Sequence, residues 1–253
     1  MTEHGGATAG RASFVVSGKR AGLASKNEER GDLSAPIHKL IRRMQDYLYL
    51  PQPDPVYVML GSVIGNMMRG APVWVVFVGP ASSGKTVKLE SLDGLKPPKD
   101  KITGRALEPG VHIVGGISGP AALLSGVSKK DSSRGATGGL LREIGDRGIM
   151  VMKDFSTMLA LNKDKLGEAV DALRQTFDGR YDRPMGTDGG IRIEWRGRLG
   201  FKAASTPAID QHHKSISDLG ERWMYYRYNQ SDGYGETIKA LGQNDPESMM
   251  NEM

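Results

Sequence analysis

One short segment, residues 79–86, has the residue types and the spacing that bind the phosphates of a nucleotide. Its glycines allow successive backbone N–H groups to turn inward around phosphate oxygens. Lys85 has the reach to contact the β and γ phosphates, and the Thr86 hydroxyl is a suitable ligand for Mg²⁺. The predicted nucleotide-binding residues are Gly79, Pro80, Ala81, Ser82, Ser83, Gly84, Lys85 and Thr86. The predicted cofactors are therefore ATP and Mg²⁺.

A magnesium–nucleotide site also needs a carboxylate at the end of a neighbouring strand, to hold a water bound to the metal. Asp154 meets this requirement, because it ends the apolar run 149–154. We predict that it is a metal ligand together with Thr86. A second acid at the next position would have supplied a general base, but Phe155 follows. Glu143 is a weak candidate for that base, and a solvated helix charge is an equally good interpretation.

Two further side chains are candidates for acting on the transferred phosphate. Thr206 follows the predicted strand 199–204, which could bring its hydroxyl near the γ phosphate, the role called sensor 1. Arg222 stands at the start of the last predicted strand, where an arginine can stabilise charge on a phosphate bound by a neighbouring subunit. The predicted catalytic residues are Lys85, Asp154, Thr206 and Arg222. Apart from the loop, Arg222 would be interpreted as a surface ion-pair residue.

The elements that must position these residues alternate between strands and helices. The continuous apolar run 73–78 is typical of a central strand covered on both faces, and it leads directly into the loop. Two helices are predicted before it, near 36–50 and from 54 onward, and another at 163–177. Residues 180–198 have the alternation and the glycine-rich turn of a hairpin. This pattern predicts an α/β fold of three layers, a P-loop NTPase with a mostly parallel central sheet, two N-terminal helices and an inserted β-hairpin.

The expected organisation is one core domain with appendages. Residues 1–33 are rich in Gly, Ala, Ser and charge and are predicted to be a flexible tail, and 34–70 a helical preface. The core is expected at 71–230, with the hairpin at about 180–198, and a short tail at 231–253. Residues 125–139 are predicted to form a mobile basic loop.

Composition limits the class of protein. Nothing approaches the roughly 18 consecutive apolar residues of a membrane span, so no membrane association is expected. The chain has no cysteine, which excludes disulfides and thiolate chemistry and fits a cytoplasmic location weakly. A net charge of +5 is compatible with a nucleic-acid partner, although a soluble surface explains it as well.

The ordered set of segments resembles a known family. The segments are GPASSGKT at 79–86, IMVMKD at 149–154, a hairpin, LGFKAASTP at 199–207 and LGERW at 219–223. Over residues 72–228 the chain resembles the additional-strand, ring-forming P-loop ATPases (AAA+), in particular the ATPase modules of phage and mobile-element replication proteins. The resemblance implies a homo-oligomeric ring in which Arg222 reaches a neighbour's site.

A hairpin just before the sensor strand is similar to that of superfamily 3 and minichromosome-maintenance helicases, where it touches DNA. Carried over, this implies contacts with single- or double-stranded DNA, with Trp195 as a stacking residue. The candidate arginines are Arg183, Arg192 and Arg196, with Arg180 and Arg198. The alternative is that these arginines solvate a ribbon whose Ile191, Ile193 and Trp195 pack on the domain.

Three functions remain open at this point. The first is a DNA-directed motor, a helicase or a helicase-like replication or recombination factor. The second is a nucleotide-gated interaction protein with slow hydrolysis, in which ATP switches the basic loop; the missing second acid favours it. The third is a small-molecule phosphotransferase, which would not need the hairpin. The helical lid that follows the last strand in the family is expected to be short or missing.

Overall fold

The structure is a computed structural model of the 253-residue chain. It describes residues 35–81, 83–93, 110–126, 135, 137–184, 192–212, 216, 222–228, 245 and 247–248. The N-terminal tail, Ser82, most of the basic loop, the hairpin turn at 186–190 and most of the C-terminal tail lie outside these residues, so the predictions made for them remain predictions. The chain forms two compact units, residues 1–40 and 41–253, and the described part of the first is only the beginning of a helix.

Parallel strands form the centre of the second unit. In chain order the strands are β1 (Trp74–Val78), β2 (Gly110–Val114), β3 (Arg147–Met152), β4 (Arg180–Pro184), β5 (Arg192–Arg196), β6 (Arg198–Ser205) and β7 (Trp223–Arg227). Five of them make one sheet in the order β2-β3-β6-β1-β7, and every neighbouring pair in it is parallel. The predicted parallel sheet is confirmed. The antiparallel pair β4–β5 is the predicted hairpin and forms a separate two-stranded sheet.

The position of β6 is the topological feature that matters most for the site. This strand lies between β1, which leads into the phosphate loop, and β3, which leads to Asp154. It is an additional strand inserted between the two strands that carry the predicted phosphate and metal ligands. The predicted bounds of β3 were slightly wrong, because the strand ends at Met152 and Asp154 lies in the turn after it.

Helices cover both faces of the sheet, as predicted. The helices in the described part of the chain are α1 (Ala35–Tyr47), α2 (Asp54–Met67), α3 (Lys85–Glu90), α4 (Pro120–Leu123), α5 (Leu140–Ile144), α6 (Ser156–Leu159) and α7 (Lys163–Phe177), with a 3₁₀ helix at Pro207–His212. Because successive side chains of a strand point to opposite faces, Gly200 and Phe201 identify the two sides. A side chain at Gly200 would collide with Asn66 of α2, whereas Phe201 shares a buried cluster with Leu173 of α7. No helix in the described part of the chain is both long and apolar enough to cross a bilayer.

An aromatic cluster on the α7 face holds the site-bearing strands together. Phe201 of β6 lies 5.2 Å from Trp74 of β1 and 4.8 Å from Trp223 of β7, measured between ring centroids. Phe155, the residue after Asp154, lies 5.2 Å from Trp223 and is completely buried. Aromatic pairs at such distances add to the stability that burial provides. The turn that carries Asp154 is therefore anchored in the core by its next residue.

Candidate nucleotide-binding site

Three predicted site segments meet at the carboxyl edge of the sheet. The first loop residue, Gly79, donates its backbone N–H to the Ser205 carbonyl at 3.2 Å, so the phosphate loop begins beside the end of β6. The Phe155 N–H donates to the Ala204 carbonyl at 2.8 Å, which brings the turn with Asp154 to the other side of the same strand end. Because the carboxyl ends of parallel strands share one edge, the tertiary structure brings the loop, Asp154 and Thr206 together.

The phosphate loop itself leads from β1 into α3. Gly84 has φ +68°, a left-handed conformation that glycine adopts readily and other residues rarely do. Helix α3 begins at the next residue, Lys85. Among the described residues, the N–H groups of Gly84, Lys85 and Thr86 donate to no backbone carbonyl. These groups are therefore available to an anion, which is what a phosphate loop requires.

The ammonium group of Lys85 lies within the loop. It donates to the Gly79 carbonyl at 2.9 Å, to the Pro80 carbonyl and to the Ser83 hydroxyl at 3.0 Å. Burial lowers the pKa of Lys85, and the negative charge of Asp154 opposes that shift. The loop lysine and the predicted metal ligand are thus close enough to interact electrostatically. In this arrangement the loop's own oxygens solvate a cation that has the reach to contact phosphate.

The two predicted magnesium ligands are both accessible to solvent. Thr86 is exposed in the first turn of α3, and Asp154 is exposed in the turn after β3. One carboxylate oxygen of Asp154 accepts the Ser156 N–H at 2.9 Å, which fixes the orientation of the side chain and leaves its second oxygen for another ligand. No group of three or more His, Cys, Asp or Glu able to hold a metal occurs in the described part of the chain. A cation here would depend on these two oxygens together with phosphate and water.

An ion pair links the elements that carry these ligands. Lys153, directly before Asp154, lies 3.0 Å from Glu90 at the end of α3. Both side chains are partly exposed, so the pair contributes at most about 1 kcal/mol to stability. Its effect is geometric, because it connects the helix of Thr86 to the turn of Asp154.

Thr206 lies just after β6, at the position predicted from the sequence. Its side chain is half-buried, and its carbonyl accepts from the Ser205 hydroxyl at 3.2 Å and from the Ile209 N–H at 3.1 Å. The preceding Ser205 is paired in register with Val78, the residue before the loop. A polar side chain at this point is therefore next to the loop, and the role of Thr206 on the γ phosphate remains a prediction.

Neither position considered for a general base supplies one at this edge in the described part of the chain. Phe155 occupies the position where a second acid was sought, and it is a core residue. Glu143 is exposed in α5, and its neighbour Ile144 packs on Gly148 near the beginning of β3. Glu143 therefore lies toward the edge opposite Asp154, which favours the interpretation as a solvated helix charge.

Arg222 lies at the edge of the sheet opposite the phosphate loop of its own chain. It immediately precedes β7, in which Trp223 pairs with Trp74 at the beginning of β1. Its guanidinium group is 3.3 Å from the Asp178 carboxylate and 5.5 Å from the centroid of the Phe177 ring. It therefore cannot act on a nucleotide bound by its own loop, and action on a neighbour's nucleotide remains a prediction.

The hairpin has a buried face and a charged face. Tyr181, Ile193 and Trp195 are buried, and the Trp195 indole N–H donates to the Gly145 carbonyl at 2.7 Å. The prediction that Trp195 stacks on a base was therefore wrong for this structure, because the ring is part of the core. Ile191 lies outside the described residues. The alternative, in which the ribbon packs on the domain, is supported by Ile193 and Trp195.

The hairpin arginines have partners within the chain. Arg192 donates to Asp182 at 2.9 Å, Arg196 pairs with Glu194, and Arg180 lies 3.3 Å from Glu194. This outer face therefore carries three arginines and two carboxylates, and much of its charge is compensated locally. Arg183 is half-buried on the inner face, where it donates to the Leu124 carbonyl at 3.3 Å.

Arg198 does not belong to the exposed face of the hairpin, because its side chain binds carbonyl groups at the end of α2. Its guanidinium group donates to the Met68 carbonyl, to Ala71 at 2.9 Å and to Gly65 at 3.2 Å, at the end of α2. Burial lowers the pKa of Arg198, and the neighbouring charge of Arg147 lowers it further. The candidate role of Arg198 in binding a nucleic-acid strand is corrected, because it caps a helix C-terminus.

Two residues that contact the phosphate loop could not be predicted from the sequence. Lys88 donates to the carbonyls of Ser83 and Gly84, and the Tyr228 ring packs on Gly79. The only sequence signal for Lys88 was its spacing of three residues from Lys85, which puts both on neighbouring positions of one helix. Tyr228 gave none, because it lies more than 140 residues from the loop in sequence.

The chain has a structural likeness to known proteins but no match at the level of sequence families. No family model matches the sequence, and no curated protein matches it. The chain is similar to a chain in a structure described as a model of the complex between subunits BchI and BchD of magnesium chelatase. The sequence identity is 16% and the TM-score 0.40; the match covers 78% of this chain and 66% of that chain, just under two thirds. A likeness of this degree carries no conclusion about activity.

Proposed function

We propose that this chain binds Mg–ATP and hydrolyses it, as an ATPase of the AAA+ class. The observation that carries the proposal is the meeting of three segments at one sheet edge: the phosphate loop with Lys85, the turn with Asp154, and the strand end with Thr206. The insertion of β6 between the strands of the loop and of Asp154 supports the additional-strand class.

The residues present fit ATP and magnesium chemically. The loop offers backbone N–H groups and the Lys85 ammonium group to phosphate oxygens. Thr86 and Asp154 offer a hydroxyl and a carboxylate, the oxygen ligands that Mg²⁺ prefers. A bound magnesium ion would neutralise phosphate charge and orient the terminal phosphates.

The chain's own residues then have distinct tasks. Lys85 would exchange its carbonyl partners for phosphate oxygens, and Asp154 would help to hold the magnesium ion with its free oxygen. Thr206 contacts the γ phosphate, and Arg222 acts on a nucleotide bound by a neighbouring copy. Hydrolysis is slow, since the position after Asp154 is a buried phenylalanine that can accept no proton.

The test is nucleotide binding and turnover in variants of Lys85. Titration with a fluorescent ATP analogue in Mg²⁺ and release of phosphate should both give signals for the wild type. Lys85→Ala should abolish both signals, whereas Lys163→Ala, an exposed lysine on α7, should change neither. If the wild type binds no ATP, or if Lys85→Ala binds it equally well, the proposed function is wrong.

A DNA-directed motor is a more specific version of the proposed ATPase function. The hairpin before β6 supports it, and so do Arg192 and Arg196, which are 63% and 69% exposed. Because Asp182 and Glu194 pair with these arginines, DNA would have to displace the carboxylates in order to bind. Single-stranded DNA should stimulate phosphate release, and the double variant Arg192→Glu/Arg196→Glu should lose the stimulation. The matched control is Arg43→Glu on α1. No stimulation of the wild type by single- or double-stranded DNA would exclude the motor.

A nucleotide-gated interaction protein is the second candidate, and the buried Phe155 specifically favours it. In that case ATP would bind tightly, turnover would be slow, and a partner would bind only to the ATP form. Tight ATP binding with turnover that DNA leaves unchanged would select this candidate over the motor. Transfer of the γ phosphate to a small acceptor would instead identify a phosphotransferase.

A further inference from the structure

Lys88 is a buried lysine that reaches back to the phosphate loop. It lies in α3, three residues after Lys85, and only 7% of its surface is exposed. Its ammonium group donates to the Ser83 carbonyl at 3.1 Å and to the Gly84 carbonyl at 3.3 Å. Lys85 instead holds the carbonyls of Gly79 and Pro80. The two lysines thus bind different peptide groups of one loop.

The contacts of Lys88 determine which way the loop's N–H groups point. In a planar trans peptide the C=O and the N–H point in opposite directions. When Lys88 holds the carbonyls of Ser83 and Gly84, the N–H groups of Gly84 and Lys85 point away from it. A phosphate would accept hydrogen bonds from these N–H groups. Lys88 therefore acts from the side of the loop opposite the phosphate.

Tyr228 supports the same loop from β7. Its backbone N–H donates to the Val78 carbonyl at 2.9 Å, and its ring centroid lies 5.4 Å from the Lys88 ammonium group, a cation–π distance. A Cβ atom added to Gly79 would lie 3.0 to 3.1 Å from the Tyr228 side chain, and one added to Gly84 would lie 3.0 Å from the Lys88 nitrogen. The Tyr228 and Lys88 side chains therefore fill the space next to Gly79 and Gly84, the two glycines that the phosphate-loop motif requires.

We propose that Lys88 and Tyr228 form a brace that holds the phosphate loop in its binding conformation. Both are positioning residues: they act through the loop, and nothing requires them to contact the nucleotide. The inference rests on the proposed function, because the affinity for nucleotide phosphates is what the brace would control. It extends that function by assigning two residues outside the phosphate-loop motif to the site.

The first experiment compares Lys88→Met with Lys88→Arg. Loss of two charged hydrogen bonds should raise the Kd for both ATP and ADP by roughly 10- to 100-fold. The kcat at saturating ATP should change much less, because Lys88 lies on the side away from the transferred phosphate. Lys88→Arg keeps the charge and should restore most of the affinity, and Lys165→Met on α7 is the exposed control. A Kd within about twofold of the wild type in Lys88→Met would overturn the brace.

The second experiment uses Tyr228, in case Lys88→Met does not fold. Tyr228→Phe keeps the ring and should bind ATP as the wild type does, whereas Tyr228→Leu removes the ring and should weaken binding. If the residues act as one unit, the double variant Lys88→Met/Tyr228→Leu should be no weaker than the worse single variant. Equal affinity of Tyr228→Leu and Tyr228→Phe would overturn the brace. If Lys85→Ala loses binding while the Lys88 and Tyr228 variants keep it, the brace is wrong and the proposed function stands. If the wild type binds no ATP, both the brace and the proposed function are wrong.

Discussion

Lys202 occupies the middle of β6 without a hydrogen-bond partner among the described residues. It lies on the same side of the strand as Gly200, so it faces α2, and it has no exposed surface. Burial lowers the pKa of Lys202 to about 7. A charged amine in such a place costs folding free energy, because neither water nor a counter-charge compensates it. Among the described core residues, Lys202 is the clearest case of an ionisable group buried without a partner.

Stability should therefore rise with pH where Lys202 titrates. The folded pKa is about 7 and the ordinary value is 10.5, so between these values the unfolded chain binds more protons. The free energy of unfolding should increase as the pH rises through this window, by at most about 5 kcal/mol, and the full cost is present below pH 7. Lys202→Met should raise the melting temperature at pH 7 by a few degrees and make the free energy of unfolding less dependent on pH. Lys165→Met is the control; a destabilised Lys202→Met would contradict the account.

Helix α2 shows how one element depends on residues far away in sequence. The Asn66 side chain donates to the Ser62 and Val73 carbonyls and accepts from the Val73 N–H, each at 2.9 Å. The Arg198 side chain caps the end of the same helix. These contacts attach α2 to the beginning of β1, and β1 ends in the phosphate loop.

Asn66→Ala should therefore destabilise the protein strongly. It removes three hydrogen bonds and leaves the partly buried backbone N–H and carbonyl of Val73 without their partner, which costs about 2 to 4 kcal/mol. Urea unfolding followed by tryptophan fluorescence would measure the loss, since Trp74, Trp195 and Trp223 are buried. Gln175→Ala, an exposed amide on α7, should change the midpoint little. Equal midpoints for the two variants would show that the α2 contacts are weak.

At the scale of the whole molecule, Arg222 raises the question of assembly. It lies across the sheet from its own loop, so a catalytic role requires a second copy that presents its loop to this edge. Within the chain Arg222 already pairs with Asp178. A structural role and a role in a neighbour's site make different predictions for mixed variants.

Mixing Lys85→Ala with Arg222→Ala distinguishes these roles. If Arg222 acts on a neighbour, each variant alone should be inactive, while the mixture should regain part of the hydrolysis, because some interfaces combine an intact loop with an intact arginine. Arg222→Ala alone should bind ATP with unchanged Kd. Asp178→Asn controls for loss of the ion pair. The particle mass with nucleotide bound should exceed that of one chain; a single-chain mass, or no recovery in the mixture, would refute action in a neighbour's site.

The phosphate loop, the parallel α/β architecture and the hairpin could all be predicted from the sequence, because each depends on local information. Glycine spacing defines the loop, apolar runs define central strands, and alternation defines the ribbon. The sequence also indicated that Asp154 ends one strand and that Thr206 follows another, and parallel pairing of the strands brings both residues to the loop. These features needed no knowledge of which strands are neighbours.

Which side chains surround the loop and which belong to the core depends on the tertiary structure. From the sequence, Trp195 could either stack on a base or pack on the domain, and Arg198 was a candidate for DNA contact; in the structure Trp195 is buried in the core and Arg198 caps α2. Tyr228 reaches Gly79 because β7 pairs with β1 at the sheet edge. The contacts of Arg198 with α2 and of Tyr228 with Gly79 join residues more than 100 positions apart, and they arise from the strand order. Periodicity within a segment reports which residues of that segment are buried, but not which distant residue lies against them.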